Sequence, residues 1–182
     1  KQELTEDAFA QEYLADFRRH TGLVYKEFDR SIHVIEPIQI PEYWQHYRTM
    51  DFGAVNPTVC LWVAISPGDD IYIYDEYYNS SQTSKFHTDI ILAKTKYPIT
   101  STFRDPSAEQ EGLDYASIGL YTVPAVRIFN GKPSWVNSGI EKVKQLLRPV
   151  QGKYRFHVFS SCINTIREFE SYHWLENIRG EI

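Results

Sequence analysis

Residues 58–78 read TVCLWVAISPGDDIYIYDEYY, and the fold prediction is built outward from them. Residues 58–66 are apolar at nearly every position, which is typical of a buried strand. Residues 71–78 are rich in Ile and Tyr, which also favour strands. The Pro-Gly-Asp-Asp sequence at 67–70 is a strong turn signal, so the two strands should pair antiparallel across a short connection.

The segments on either side extend this pair into a larger sheet. Residues 47–52 predict a strand that completes a three-stranded antiparallel meander. Helices and strands then alternate: helices are predicted over 81–96, 107–118, 138–147 and 162–172, and strands over 99–104, 123–129 and 156–159. An antiparallel meander followed by alternating helices and strands is the element order of a ribonuclease H-like α/β fold, with a mixed β-sheet flanked by helices.

The N-terminal part of the chain has a different character. Residues 1–43 predict a linker helix, over 5–18, and a connecting arm with short strands at 24–25 and 33–35. Residues 44–182 form the predicted main domain. Its last residues resemble a hairpin that the end of the sequence interrupts during the return strand.

Composition restricts the class of protein. With 182 residues, 42% of them hydrophobic and 24% charged, the chain fits one globular domain with a sizeable core. No apolar run approaches the roughly 20 residues that span a bilayer, and no secretory signal opens the chain. The spacing of Cys60 and Cys162 in apolar segments predicts buried thiols in a reducing compartment. The net charge of −5 argues against nucleic-acid capture by the domain as a whole, but it is compatible with a local basic groove.

Several common catalytic and binding motifs are absent from the sequence. It contains no GxGxxG or Walker-type loop, which argues against nucleotide binding. It contains no His-x-x-x-His pair and no CxxC, which argues against zinc, and no Gly-x-Ser-x-Gly nucleophile elbow.

Two aspartates follow predicted strands. Asp51 comes before Phe52 and Gly53, and Asp105 comes before Pro106. Each alone also fits an ordinary turn residue. In the predicted topology their strands are adjacent and parallel, so both carboxylates should emerge at one end of the sheet. Oxygen ligands suit hard cations such as Mg²⁺, and two cations about 3.5–4 Å apart support in-line phosphodiester hydrolysis.

Three further polar residues, Glu76, Asp75 and Asn56, are weighed for this site. Glu76 is an additional candidate metal ligand, since it lies inside the strand 71–78, and Asp75 beside it should face the other side of the sheet. Each of the two also fits a solvated position or the partner of a lysine. Asn56 lies close to Asp51 in sequence and within reach of a metal-bound water, although an Asn before Pro is usually a turn residue.

At these residues the chain resembles the C-terminal nuclease domain of the large terminase subunit of tailed bacteriophages. The matching motifs are MDFG (50–53), NPT (56–58), YDEYY (74–78), RDPS (104–107), SC (161–162), IREFE (166–170) and YHW (172–174), with FAQEYLADF (9–17) resembling the segment before the nuclease. Their order and spacing extend over nearly the whole chain.

The resemblance implies a sequence-nonspecific endonuclease that uses a two-metal site with Mg²⁺ or Mn²⁺ to cut concatemeric double-stranded DNA. It assigns the first two catalytic, metal-binding aspartates to Asp51 and Asp105. The third family aspartate begins a final helix, which we expect beyond Ile182. The implied partners are double-stranded DNA, the terminase ATPase domain, the small terminase subunit and the portal protein. The implied location is the host cell cytoplasm during phage assembly, without secretion or membrane attachment.

Two alternatives stay open on the sequence. One is a resolvase- or transposase-type nuclease of the same fold. The other is a non-catalytic domain that docks on the portal or on other terminase subunits. Only the docking-domain hypothesis predicts that Asp51 and Asp105 bind no divalent metal, since both nuclease hypotheses require metal there.

Overall fold

Seven strands form one mixed sheet in the computed structural model, which describes residues 22–53, 56–126 and 135–174. The strands are β1 (Val34–Ile35), β2 (Gln45–Asp51), β3 (Thr58–Ile65), β4 (Ile71–Asn79), β5 (Ser101–Arg104), β6 (Val123–Pro124) and β7 (Phe156–Phe159). Their order across the sheet is β1-β7-β4-β3-β2-β5-β6. The predicted meander β2-β3-β4 is confirmed as antiparallel, and the other neighbouring strands pair in parallel.

Helices cover both faces of this sheet. They are α1 (Arg30–His33), α2 (Ser84–Lys94), α3 (Glu109–Ser117), α4 (Trp135–Leu147) and α5 (Ile163–Ser171). Among the described residues, no helix combines the length and apolar composition that a membrane span requires.

Several predicted boundaries were wrong by a few residues. Helix α2 begins later than predicted because Thr83 caps it, accepting a 3.2 Å hydrogen bond from the backbone of Phe86. Helix α4 begins earlier, at Trp135. The strand predicted over 123–129 ends at Pro124, and its last three residues lie outside the described part of the chain. The predicted helix over 5–18 and most of the C-terminal hairpin also lie outside it.

The connecting arm contains a short helix that the sequence prediction missed. His33 was predicted to start a strand, but it ends α1, and residues 24–25 form no strand. Asp29 caps this helix by accepting a 2.8 Å hydrogen bond from the backbone of Ser31. The buried imidazole of His33 is 2.9 Å from the Leu147 carbonyl, which ties the arm to α4. The next two residues form β1 and extend the main sheet.

Side chains alternate between the two faces of the central strands. On β2 and β3, Met50, Cys60 and Trp62 are buried in one core cluster with Ile91 of α2 and Tyr115 of α3. The opposite face packs against α4 and α5 in a second cluster. Because Met50 faces α2 and α3, its neighbour Asp51 lies on the face that carries α5. This alternation determines where the candidate site opens.

The two cysteines are fully buried and unpaired, which confirms the prediction of buried thiols. Burial raises the pKa of both Cys60 and Cys162 to about 12. Both therefore remain protonated near neutral pH.

Candidate active site

Asp51 and Asp105 lie side by side at the carboxyl ends of adjacent parallel strands. β2 pairs with β5 in a register that ends at Met50 opposite Arg104; Asp51 is the last residue of β2, and Asp105 is the residue directly after β5. Neighbouring strands are about 4.8 Å apart, so the two carboxylates open at the same end of the sheet. The predicted adjacency of their strands is confirmed. Both residues line a cavity of about 360 Å³ at the β2-β5-β6 edge.

The two carboxylates influence each other electrostatically. The pKa of Asp51 is raised, first because its carboxylate is partly removed from water and second because of the negative charge of Asp105. Two like charges this close disfavour simultaneous ionisation. A divalent cation between them would offset this repulsion.

A tight turn orients the Asp105 carboxylate. Its Oδ1 accepts a 2.7 Å hydrogen bond from the backbone of Ser107 and a second one from the Ser107 hydroxyl. The Ala108 backbone also donates to the Asp105 carbonyl at 3.1 Å. The Asp-Pro-Ser sequence thus forms the turn that its composition predicts.

Arg104 joins this turn to helix α3 on the opposite face of the sheet. Its Nη1 donates to the Asp105 carbonyl at 3.1 Å, and its side chain lies across Gly112. A Cβ at position 112 would be 2.3 Å from Arg104 Nε and 2.9 Å from its Cδ. The glycine therefore provides the space that Arg104 occupies.

Substituting this glycine should destabilise the protein. We expect Gly112→Ala to lower the free energy of unfolding by about 1 kcal/mol, because the new methyl group displaces Arg104. The matched control is Gly139→Ala in α4, where a Cβ meets no atom within 4 Å. That variant should raise stability by up to about 1 kcal/mol through helix propensity. Urea unfolding of both variants measures the difference, and equal effects would contradict the crowding at Gly112.

Phe52 and Gly53, which directly follow Asp51, are held by contacts with Tyr115 and Thr58. Phe52 stacks on Tyr115 of α3, with ring centroids 4.5 Å apart. The Thr58 hydroxyl accepts from the Gly53 backbone at 3.2 Å and donates to the Gly53 carbonyl at 3.0 Å. A Cβ at Gly53 would be 2.1 Å from the Asn56 carbonyl oxygen, so this position requires glycine. These contacts hold the end of β2, and with it Asp51.

Glu76 occupies the same face as Asp51, but two strands away, opposite Leu61. Its Oε1 accepts hydrogen bonds from the backbone and side-chain nitrogens of Asn164, at 2.9 and 2.8 Å. Its Oε2 accepts from the backbone and hydroxyl of Thr165, at 2.8 and 2.7 Å. The residue before α5, Cys162, makes no capping hydrogen bond, so Glu76 supplies acceptors for the start of this helix. Its assignment as a metal ligand stays a prediction.

Asp75 faces the other way, as the alternation predicted. Its Oδ1 is 2.9 Å from Lys94 Nζ of α2. This matches the interpretation of Asp75 as the partner of a lysine.

A second cavity, of about 450 Å³, opens from Asp51 along the α5 face of the sheet. Its walls include Asn56, Tyr78, Asn164 and Glu168. Sequence reasoning singled out Asn56 but gave no role to Tyr78 or to α5. Tyr78 was identifiable, because it follows Glu76 by two residues on the same strand and so shares its face.

The described residues bring two carboxylates together at the sheet end. Within residues 22–53, 56–126 and 135–174, no group of three or more His, Cys, Asp or Glu side chains is arranged to hold a metal ion. The assignment of Asp51 and Asp105 as metal ligands therefore stays a prediction.

The chain matches no protein-family model and no curated protein sequence. Among solved structures, it is similar to the large terminase nuclease domain of phage P22, with 21% identity and a TM-score of 0.70 over 90% of this chain and 84% of that one. The large terminase of the thermophilic bacteriophage D6E, in complex with ATP-γ-S, is 24% identical with a TM-score of 0.70, over 88% of this chain but 40% of that one. The g2p nuclease domain of bacteriophage SPP1 with bound Mn is 16% identical with a TM-score of 0.58, over 82% of this chain and 83% of that one. The chain thus has the ribonuclease H-like fold of large terminase nuclease domains, as the sequence predicted.

Proposed function

We propose that this chain is the nuclease domain of a phage large terminase and that it hydrolyses double-stranded DNA with divalent metal ions. The observation that carries the proposal is the Asp51–Asp105 pair at the ends of adjacent parallel strands. The fold supports it, since similar structures are terminase nuclease domains and one of them holds Mn.

The donor set fits a hard divalent cation. Mg²⁺ and Mn²⁺ prefer carboxylate oxygens and retain several waters, so few protein ligands are needed. The pKa of Asp51 is raised by partial burial and by the negative charge of Asp105, and a bound cation would offset that repulsion. When bound, such ions neutralise the phosphate and activate the attacking water.

The protein side chains have distinct tasks in this proposal. Asp51 lines both cavities and would hold metal ions and orient the attacking water. Asp105 is fixed by Ser107 and would hold one ion. Both carboxylates would act as oxygen ligands for the ions.

The wider role follows from the same family. The substrate would be concatemeric double-stranded DNA in the host cytoplasm during phage assembly. The ATPase domain of the large subunit, the small terminase subunit and the portal protein would be its partners. The chain spans 40% of the length of the D6E large terminase. We therefore propose these partners for the whole large subunit that would contain this domain.

A plasmid-nicking assay tests the proposed activity. Supercoiled plasmid should be nicked and linearised in Mn²⁺ or Mg²⁺ and should stay intact in EDTA, because the carboxylates alone do not activate water. Calorimetry with Mn²⁺ on the same protein should show binding. A folded protein that binds no Mn²⁺ and cuts no plasmid would support the docking domain instead.

A further inference from the structure

We propose that Arg167 and Tyr78 form a second DNA-phosphate contact, on the same face and at the same sheet end as Asp51. The inference rests on the proposed nuclease function and adds a part of its DNA path. It assigns a role to the α5 side of the cavity, away from the two aspartates.

The strand register places this contact in line with the aspartates. Asp51 of β2 pairs with Val59 of β3, and Val59 pairs with Tyr78 of β4. Cross-strand partners project to the same face, so Tyr78 lies two strand spacings, about 10 Å, from Asp51. β2 and β4 run in the same direction, which brings Asp51 and Tyr78 to the same end of the sheet.

Tyr78 holds the guanidinium of Arg167 in place. The Arg167 Cζ is 5.5 Å from the centre of the Tyr78 ring, a cation–π contact. Arg167 also approaches Glu168, with Nη2 and Oε1 3.3 Å apart. Both side chains of that ion pair are more than half exposed, and exposed pairs contribute little. The guanidinium is therefore positioned by the ring and accessible for bidentate contact with a phosphate.

The cavity of about 450 Å³ extends from Asp51 to Tyr78, which both line it, and Tyr78 contacts Arg167 beside it. Phosphates of one DNA strand recur about every 3.4 Å along the helix axis, so a span of about 10 Å along a duplex includes several phosphates. A duplex lying along this face would present one phosphate at the aspartates and another at Arg167. Glu168 adds a carboxylate to the same wall, so Arg167 is the positive charge that a phosphate would meet there.

A positively charged side chain near the aspartates is also needed on electrostatic grounds. The chain has a net charge of −5, so DNA contact depends on individual basic residues at the site. Arg104, also at this sheet end, lies on the other face against Gly112. Arg167 is on the face that the aspartates occupy.

The salt dependence of DNA binding tests the proposal directly. Anisotropy of a fluorescent 30-bp duplex, measured in EDTA to prevent cleavage, gives the slope of log affinity against log salt. Each phosphate contact contributes about 0.9 to the magnitude of this slope. Arg167→Gln should therefore reduce the slope by about 0.9, which is about 3.5-fold in affinity across a fourfold salt range. Unrelated duplexes should give the same change, because phosphate contacts carry no base information.

Three further variants make the comparison specific. Arg148→Gln is the matched control, because Arg148 has the same side-chain exposure, 58% against 57%, but pairs with Glu27 in the connecting arm. It should leave the slope unchanged. Arg167→Lys should retain the charge and most of the slope. Tyr78→Leu should weaken binding less than Arg167→Gln, since it removes only the ring that positions the guanidinium.

The nuclease assay gives a second readout. Arg167→Gln should raise KM for plasmid several-fold with kcat nearly unchanged, because the contact is remote from the reacting phosphate. Equal slopes for Arg167→Gln and Arg148→Gln would overturn the Arg167 contact and leave the nuclease proposal intact. Wild-type protein that neither binds nor cuts DNA would overturn both.

Discussion

Asp51→Asn is expected to abolish Mn²⁺-dependent plasmid cleavage while the protein remains folded. Metal ligation supplies several kcal/mol of transition-state stabilisation, so the rate should fall by at least about 10³-fold. Asp51 lines both cavities, so its loss should affect both ions. Gel quantification of nicked and linear plasmid measures the effect, and full cleavage by the variant would contradict the assignment. Asp105→Asn should behave in the same way.

The stability of metal-free Asp51→Asn should rise, whereas its cleavage activity should fall. The pKa of Asp51 is raised in the folded protein, so the folded state binds this proton more tightly than the unfolded chain. Such a carboxyl lowers stability as pH rises from its ordinary pKa through the raised one. Metal-free Asp51→Asn should therefore be slightly more stable than the wild type at pH 7. Adding Mn²⁺ should raise the Tm of the wild type and not that of the variant.

Asp114→Asn provides the control for both measurements. Asp114 is exposed on α3 and accepts a 3.0 Å hydrogen bond from Gln110 one turn earlier. Its substitution removes one negative charge, as Asp51→Asn does, but away from the sheet end. Cleavage and Mn²⁺-dependent stabilisation should both be normal.

Glu76→Gln should have the largest effect on stability. The carboxylate accepts four hydrogen bonds from Asn164 and Thr165 at the start of α5. An amide presents an NH₂ group to donors that a carboxylate oxygen now satisfies, which leaves buried donors unpaired. It also removes a negative charge that favours a helix N-terminus. We expect the free energy of unfolding to fall by about 2–3 kcal/mol.

Measuring both the stability and the Mn²⁺ binding of Glu76→Gln separates the two roles considered for Glu76, which are capping α5 and binding a metal. If its role is structural, the folded fraction of Glu76→Gln should bind Mn²⁺ as tightly as the wild type. Unchanged stability with lost Mn²⁺ binding would instead identify Glu76 as a ligand. Glu168→Gln is the control on the same helix. Its exposed ion pair with Arg167 predicts a change in stability within about 0.5 kcal/mol.

The parts of the fold that sequence predicted best are those with strong periodicity. β3 and β4 carry continuous apolar and Ile/Tyr-rich runs with a Pro-Gly turn between them, and their pairing followed directly. The adjacency of Asp51 and Asp105 also followed, because the meander and the next strand leave few topologies for their strands. Boundaries were less accurate, since Thr83 competes with Ser81 and Ser84 as a helix cap and only the folded backbone selects one.

Contacts between distant segments could not be predicted from one sequence. Glu76 and α5 are about 88 residues apart, and no local pattern links a strand glutamate to a helix start. β1 has two residues, too few for a period, and it forms only because β7 offers a parallel edge. The close contact between the Arg104 side chain and Gly112 depends on the rotamer of Arg104, which the folded backbone determines. These are features of the tertiary packing.

The burial of both cysteines has a practical consequence for following local opening of the domain. Cys60 and Cys162 belong to different core clusters, one beneath α2 and α3 and the other beneath α4 and α5. A thiol with a pKa near 12 reacts with alkylating reagents only when its surroundings open and it regains an ordinary pKa. The modification rates of the two sulfurs, followed separately by peptide mass spectrometry, would therefore report the opening free energy of each half of the core. Slower modification at Cys60 than at Cys162 would mean that the layer beneath α2 and α3 is the last to unfold.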